Sequence, residues 1–178
     1  PAVQTATGFT QLGVDTIPPI VTRGVLLDLA ALHGGPLAER TLVSAADLKG
    51  TRDAQGTEIK DGDVVLIRTG NDTWWDNPDR YLEGPGMSGE ASEWLAGYNV
   101  FAVGADNVAW DLPGHVDEHL KVSLPGHAIL LVQRGIYIIE NLNLVDLSAA
   151  RCYEFVFVCL PLKFRGGTAS PVRPIALG

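Results

Sequence analysis

Apolar residues in this chain fall into short blocks of strand length, separated by stretches rich in Gly, Pro, Asn and Asp. Gly24–Leu29 (GVLLDL) reads as the first buried strand. Ser44 offers an N-cap with Asp47 three residues on, which predicts a short helix through SAADLKG. The turn signal Lys60–Asp63 then gives way to Val64–Arg68 (VVLIR), a β-branched run that predicts a central strand. Ser88 caps a second helix through EASEWLAG, with Trp94 and Leu95 turned inward and Gly97 as its stop, and Val100–Val103 forms another strand.

His127–Gln133 (HAILLVQ) predicts a helix that His127 opens and Gly135 ends. Ile136–Ile139 (IYII) follows as a strand that delivers Glu140 at its C-terminal end. Tyr153–Leu160 is the longest apolar run, and Leu162–Arg165 is expected to pair with it after the break at Pro161. Pro1–Pro19 is polar and turn-rich and reads as a surface segment. Strands and helices alternate over short connections before consecutive strands close the chain. That order predicts an α/β fold with a mixed sheet. No internal repeat or linker interrupts it, so residues 1–178 are expected to form a single domain.

Composition adds limits. The chain has 178 residues, 46% of them hydrophobic and 19% charged, which suits a globular core rather than disorder. A formal charge of −8, with no run of Lys or Arg, argues against a nucleic-acid partner. No apolar stretch approaches the roughly 20 residues that span a bilayer, so no membrane role is expected. Cys152 and Cys159 sit seven positions apart in a strand-like run, which places them on opposite faces and argues against a mutual disulfide. Two free thiols fit a reducing cytoplasm.

Candidate chemistry rests on few residues. His115 and His119, in PGHVDEHL, would share a helix face, yet Val116 stands where a zincin helix carries Glu, and the stretch is polar. Two solvated histidines are the plainer reading. His127 and Glu140 differ, because each borders a strongly apolar segment and marks the boundary of an element. The C-terminal ends of strands in α/β sheets habitually hold ligands. A carboxylate beside IYII is costly to bury unless bonded, paired or bound to a cation. Imidazole with carboxylate suits Zn²⁺ or Mn²⁺, although spacing alone leaves a core histidine and a structural carboxylate as the alternative. Asp28 and Asp106 are expected to cap turns, and Arg23 and Arg68 to form structural ion pairs. Gly70–Gly86 carries Trp74, Trp75 and Tyr81, and a loop with aromatics usually folds over something.

The succession IPPIVTRGVLLDLA, GDVVLIRTG, PGMSGEASEWLA and FAVGADN resembles the cyclase family, which includes kynurenine formamidases and isatin hydrolase. HAILLVQRGIYIIENL and FVFVCLPLKFRGGTASPVRPIAL are similar to it as well, so the likeness runs from about Gly8 to Leu177. The resemblance implies a β/β/α cyclase-like fold that assembles as oligomers. It also implies a hydrolase that cleaves an amide or ester, such as a formamide, lactone or cyclic amide, through a water activated by Zn²⁺ or Mn²⁺. His127 and Glu140 match positions that belong to the metal site of two-zinc members, and Trp74, Trp75 and Tyr81 would wall the substrate pocket.

One departure matters. The family's His-x-Gly-Thr-His-x-Asp-x-Pro-x-His stretch, which supplies the main ligands and a catalytic histidine, is missing here. It would precede Pro1, so the chain is expected to be the downstream portion of a longer protein, joined to or assembled with an upstream fragment. The rival expectation is a non-catalytic remnant or interaction module that keeps the scaffold without a complete site.

Overall fold

Apolar runs that lack polar alternation suit parallel strands covered on both faces, and the central runs here adopt that arrangement. The computed structural model describes residues 4–6, 8–10 and 13–178. Its contacts divide into a smaller unit, Pro1–Thr22 with Val156–Gly178, and a larger one, Arg23–Phe155.

The smaller unit begins with β1 (Gln4–Thr5) and β2 (Gly8–Phe9), which pair antiparallel. β3 (Ile20–Asp28) leads into the larger unit, followed by α1 (Leu29–His33), β4 (Leu42–Val43), α2 (Ala45–Gln55) and β5 (Val64–Arg68). Next come α3 (Pro78–Leu82), β6 (Gly86–Met87), α4 (Gly89–Ala96), β7 (Ala102–Ala105) and α5 (Pro125–His127). β8 (Tyr137–Ile139) and α6 (Val145–Ala149) complete the larger unit's own elements, and β9 (Glu154–Cys159) runs out of it. The smaller unit ends on β10 (Ile175–Leu177).

In the larger unit β3, β5, β7 and β8 lie side by side, all parallel, with Leu26, Leu66, Gly104 and Ile139 in one row. β4 and β6 form a second, short parallel pair. In the smaller unit β9 pairs antiparallel with β10, Val158 opposite Ile175. The fold is α/β with mixed strand directions, as the alternation of elements predicts.

Local chemistry explains the boundaries. Ser44 and Asp47 form a full capping box: the serine hydroxyl accepts the Asp47 N–H at 3.2 Å and the Asp47 carboxylate accepts the Ser44 N–H at 2.8 Å. Ser88 caps α4 through the Ala91 N–H at 3.0 Å, and α4 buries Ala91 and Leu95, one turn apart. Val25, Leu27, Val65, Ile67 and Val103 supply the sheet's share of the main core, with Leu48, Met87, Leu95, Trp110, Ile129 and Leu130 packed in the same cluster. Each such side chain contributes about 1.5–3 kcal/mol by leaving water. A Cβ on Gly24 would lie 2.2 Å from the Phe155 ring, so only glycine fits there.

The expected strand at Leu162–Arg165 does not form. Pro161 removes a ladder donor just after β9. The chain then turns through Phe164 N–H to Leu162 O and Gly167 N–H to Phe164 O, at 3.0 and 3.1 Å, with Gly166 at φ 82°. β10 takes the place beside β9 instead.

Candidate metal centre

The site lies where the parallel strands end, in the larger unit, and its first element is the helix after a proline-led start. That helix begins at Pro125, two residues earlier than expected, so His127 is its third residue and does not open it. The reason is a cap supplied from a distance. Leu124 has no capping side chain, but the Asp111 carboxylate accepts the Gly126 N–H at 2.6 Å and the His127 N–H at 3.1 Å. A carboxylate on free N–H groups at a helix start is favoured by charge and by hydrogen bonding alike. Gly126 makes this approach feasible, since a Cβ there would lie 2.4 Å from Trp110 Cδ1 and 2.8 Å from Asp111 Oδ1. Beyond His127 the backbone widens into a π-helix, Ala128–Arg134, closed by Gly135 at φ 67°.

Asp111 also holds the imidazole. His127 Nδ1 stands 2.7 Å from Asp111 Oδ2, so the neutral ring donates from Nδ1 and keeps its lone pair on Nε2. Nε2 lies 3.6 Å from Glu140 Oε1, and both side chains are 30% exposed. Glu140 follows directly on β8, and its Oε1 accepts the Trp110 N–H at 3.0 Å. Trp110 is fully buried and donates its indole N–H to Ser92 Oγ at 2.9 Å. The Asp111 bond raises the His127 pKa above its ordinary value, burial opposes it, and the charges of Asp111 and Glu140 add to it.

These atoms fit two positions around one divalent cation. Ligand atoms about 2.0–2.2 Å from a tetrahedral zinc lie about 3.4 Å apart, close to the observed separation. A metal-binding histidine ordinarily donates its other N–H to a carboxylate, and Asp111 fills that role. Among the described residues no group of three or more His, Cys, Asp or Glu side chains could hold a metal ion, so a cation on this pair would need a further donor.

The remaining candidates are placed as follows. Trp75 is exposed and meets Tyr81 edge to face at 5.3 Å, whereas Trp74 lies under the Arg80 guanidinium at 5.0 Å. Tyr81 is buried, and its hydroxyl donates to Asn141 Oδ1 at 2.8 Å, which brings the aromatic loop to the residue after Glu140. His115 and His119 lie in turns, not on a helix, with Asp117 accepting the His119 and Leu120 N–H groups at 2.9 and 2.8 Å. Asp28 caps α1 through the Ala31 N–H at 2.9 Å. Arg68 pairs with Asp28 at 3.3 Å and Asp72 at 3.1 Å, while Arg23 lies 3.7 Å from Asp63 and 3.6 Å from Glu154. Asp111, Trp110 and Asn141 were not among the candidates. Only the apolar setting of Asp111, between Trp110 and Leu112, hints that it is buried.

A model of the family described as putative cyclase matches residues 4–112, more than half of the chain. Asp111 lies inside that match, and His127 and Glu140 lie beyond it. "Cyclase-like protein 2" of Oryza sativa subsp. japonica is 30% identical over 118 residues, which are 64% of this chain and 39% of that protein. A solved structure described as a novel cyclase is 29% identical with a TM-score of 0.83, covering 99% of this chain and 61% of its own. Isatin hydrolase A from Ralstonia solanacearum is 26% identical with a TM-score of 0.78, over 97% of this chain and 67% of its own. A structure described as a potential metal-dependent hydrolase with cyclase activity is 25% identical, with a TM-score of 0.63, over 94% of this chain and 69% of its own. The chain thus spans less than two thirds of the rice protein and of the novel cyclase.

Proposed function

The chain belongs to the putative cyclase family, and we propose that it forms part of a metal-dependent hydrolase that cleaves an amide or ester bond of a small carbonyl compound. The observation that carries this reading is the His127–Glu140 pair, 3.6 Å apart, with Asp111 fixing the imidazole. The likeness to isatin hydrolase A and to the potential metal-dependent hydrolase supports it.

In this reading His127 Nε2 and the Glu140 carboxylate hold a divalent cation, Zn²⁺ or Mn²⁺ by the chemistry of the donors. Such a cation polarises a carbonyl oxygen and lowers the pKa of water. Asp111 orients the ring and keeps its proton on Nδ1, while the Trp110 N–H steadies Glu140. A catalytic zinc ordinarily has three protein donors, so at least one more comes from outside the described residues. The exposed face of Trp75 is offered to a formamide, lactone or cyclic amide substrate. The protein works as an oligomer in the cytoplasm, which its free Cys152 and Cys159 suit.

The test is hydrolysis of those three substrate types by the protein before and after metal removal. Activity is expected to vanish on chelation, to return with Zn²⁺ or Mn²⁺, and to fall at least 100-fold, on the order of the loss of an outer-shell partner or more, in His127→Ala and Glu140→Ala. Turnover that survives chelation would sink the reading. Two candidate donors, with no third grouped beside them among the described residues, favour a second reading, an interaction module on the cyclase scaffold. Native protein with no bound metal and no turnover of any of the three substrates would select it.

A further inference from the structure

Among the described residues, the Glu140 side chain meets one N–H from Trp110 and the imidazole opposite. Its direction therefore depends on the backbone turn that follows β8. That turn places Asn141 at φ 58°, in the left-handed region that Asn enters more readily than other side-chain-bearing residues. Its main chain is tied down by the Asn141 N–H to Asn107 O at 2.9 Å and by the Leu142 N–H to Ala105 O at 3.0 Å.

The Asn141 side chain is exposed, and its Oδ1 accepts the Tyr81 hydroxyl at 2.8 Å. Tyr81 is itself firmly placed. It is 7% exposed, its N–H donates to Asn77 O at 2.8 Å, and its carbonyl accepts Asn71 Nδ2–H at 3.1 Å. Burial, with the nearby charges of Asp106, Asp72 and Glu140, raises its pKa to about 12, so the phenol remains a donor throughout the working range of an enzyme. A residue that served only as an apolar wall would not need this hydroxyl.

We propose that Tyr81 is a positioning residue for the metal pair: its hydroxyl, through Asn141, holds the left-handed turn that presents Glu140 to His127. This rests on the metal-holding role proposed above for Glu140.

Zn²⁺ affinity, measured by competition with a chelating dye, tests it in the wild-type protein, Tyr81→Phe, Asn141→Gly, the double variant and Glu140→Ala. Tyr81→Phe keeps the ring and deletes the hydroxyl. Asn141→Gly deletes the acceptor while easing the backbone at positive φ. Each is expected to bind Zn²⁺ roughly tenfold more weakly, as for other outer-shell partners. The double variant should be no weaker than either single one, because both remove the same bond. In turnover, Tyr81→Phe is expected to lower kcat and leave KM unchanged.

If Tyr81→Phe lowers only the melting temperature of the metal-free protein and leaves Zn²⁺ affinity intact, the hydroxyl is merely structural and the proposal fails. Additive losses in the double variant overturn it as well. If Glu140→Ala binds Zn²⁺ as tightly as wild type, the metal reading fails and this one with it. If Glu140→Ala loses Zn²⁺ while Tyr81→Phe does not, only the positioning role is wrong.

Discussion

Asp106 is completely buried at the end of β7, where Oδ1 accepts the Thr69 N–H and hydroxyl at 2.9 and 2.8 Å and Oδ2 accepts the Gly70 N–H at 2.7 Å. Burial pushes its pKa from 3.8 to about 6, with Asp72 adding and the Thr69 and Gly70 bonds opposing. Since the folded value lies above the unfolded one, the protonated form is the one the fold favours. Its contribution is fully present below about pH 4 and is lost as pH rises through about 6. The unfolding free energy of wild type minus that of Asp106→Asn, from urea titration of the metal-free protein, should therefore fall between pH 4 and 7 by on the order of 3 kcal/mol. A flat difference would show that the donors, not burial, set this carboxylate. At this scale the sequence is unevenly legible. His127 and Glu140 stand out because each borders an apolar run. Asp111 does not, because its partners Gly126 and His127 lie 15 and 16 positions away and no local spacing links them. The Tyr81–Asn141 bond spans 60 positions and leaves still less trace.

Elements whose cause is local could be read from the sequence. Ser44 and Asp47 announce α2, and the β-branched run Val64–Arg68 is a strand over that same range. Elements shaped by distant contacts could not. Nothing in AILLVQR distinguishes a π-helix from an α-helix, and Asp111 moves the helix start back to Pro125. Pro161 and the turn at Gly166 give β9 a partner further along the chain than the adjacent run suggested. The start of the His127 helix carries a prediction of its own. Gly126→Ala forces a Cβ into the buried Trp110 indole, 2.4 Å from Cδ1. Overpacking of this kind typically costs about 1–3 kcal/mol. The same displacement shifts the two N–H groups that hold Asp111, so metal affinity should fall along with the denaturation midpoint. Gly126→Ala protein with unchanged stability and unchanged Zn²⁺ affinity would show that the helix start has slack the structure does not display.

Across the whole molecule, the ends of β3, β5, β7 and β8 in the larger unit gather Asp28, Arg68, Asp106 and Glu140. A parallel sheet collects chemistry at that edge because its strand ends and the loops after them converge there. Most of this charge is absorbed within the fold: Arg68 ties Asp28 to Asp72, and Asp106 is wrapped by the Thr69–Gly70 turn. His127 and Glu140 remain half-open, each facing the other. The class of fold was legible in the sequence because patterning reports burial, and His127 and Glu140 stood out as candidates because each borders an apolar run. The arrangement that brings them face to face was not, since it depends on Asp111 and Trp110, which bond His127 and Glu140 from 16 and 30 positions away.

His127 and Glu140 are proposed to hold one divalent cation between them. Anomalous diffraction at the zinc edge from crystals grown with Zn²⁺ tests it most directly. A single strong peak is expected about 2.0–2.2 Å from both His127 Nε2 and a Glu140 carboxylate oxygen, lost in Glu140→Ala. Zinc found elsewhere, or a peak that persists in Glu140→Ala, would contradict it.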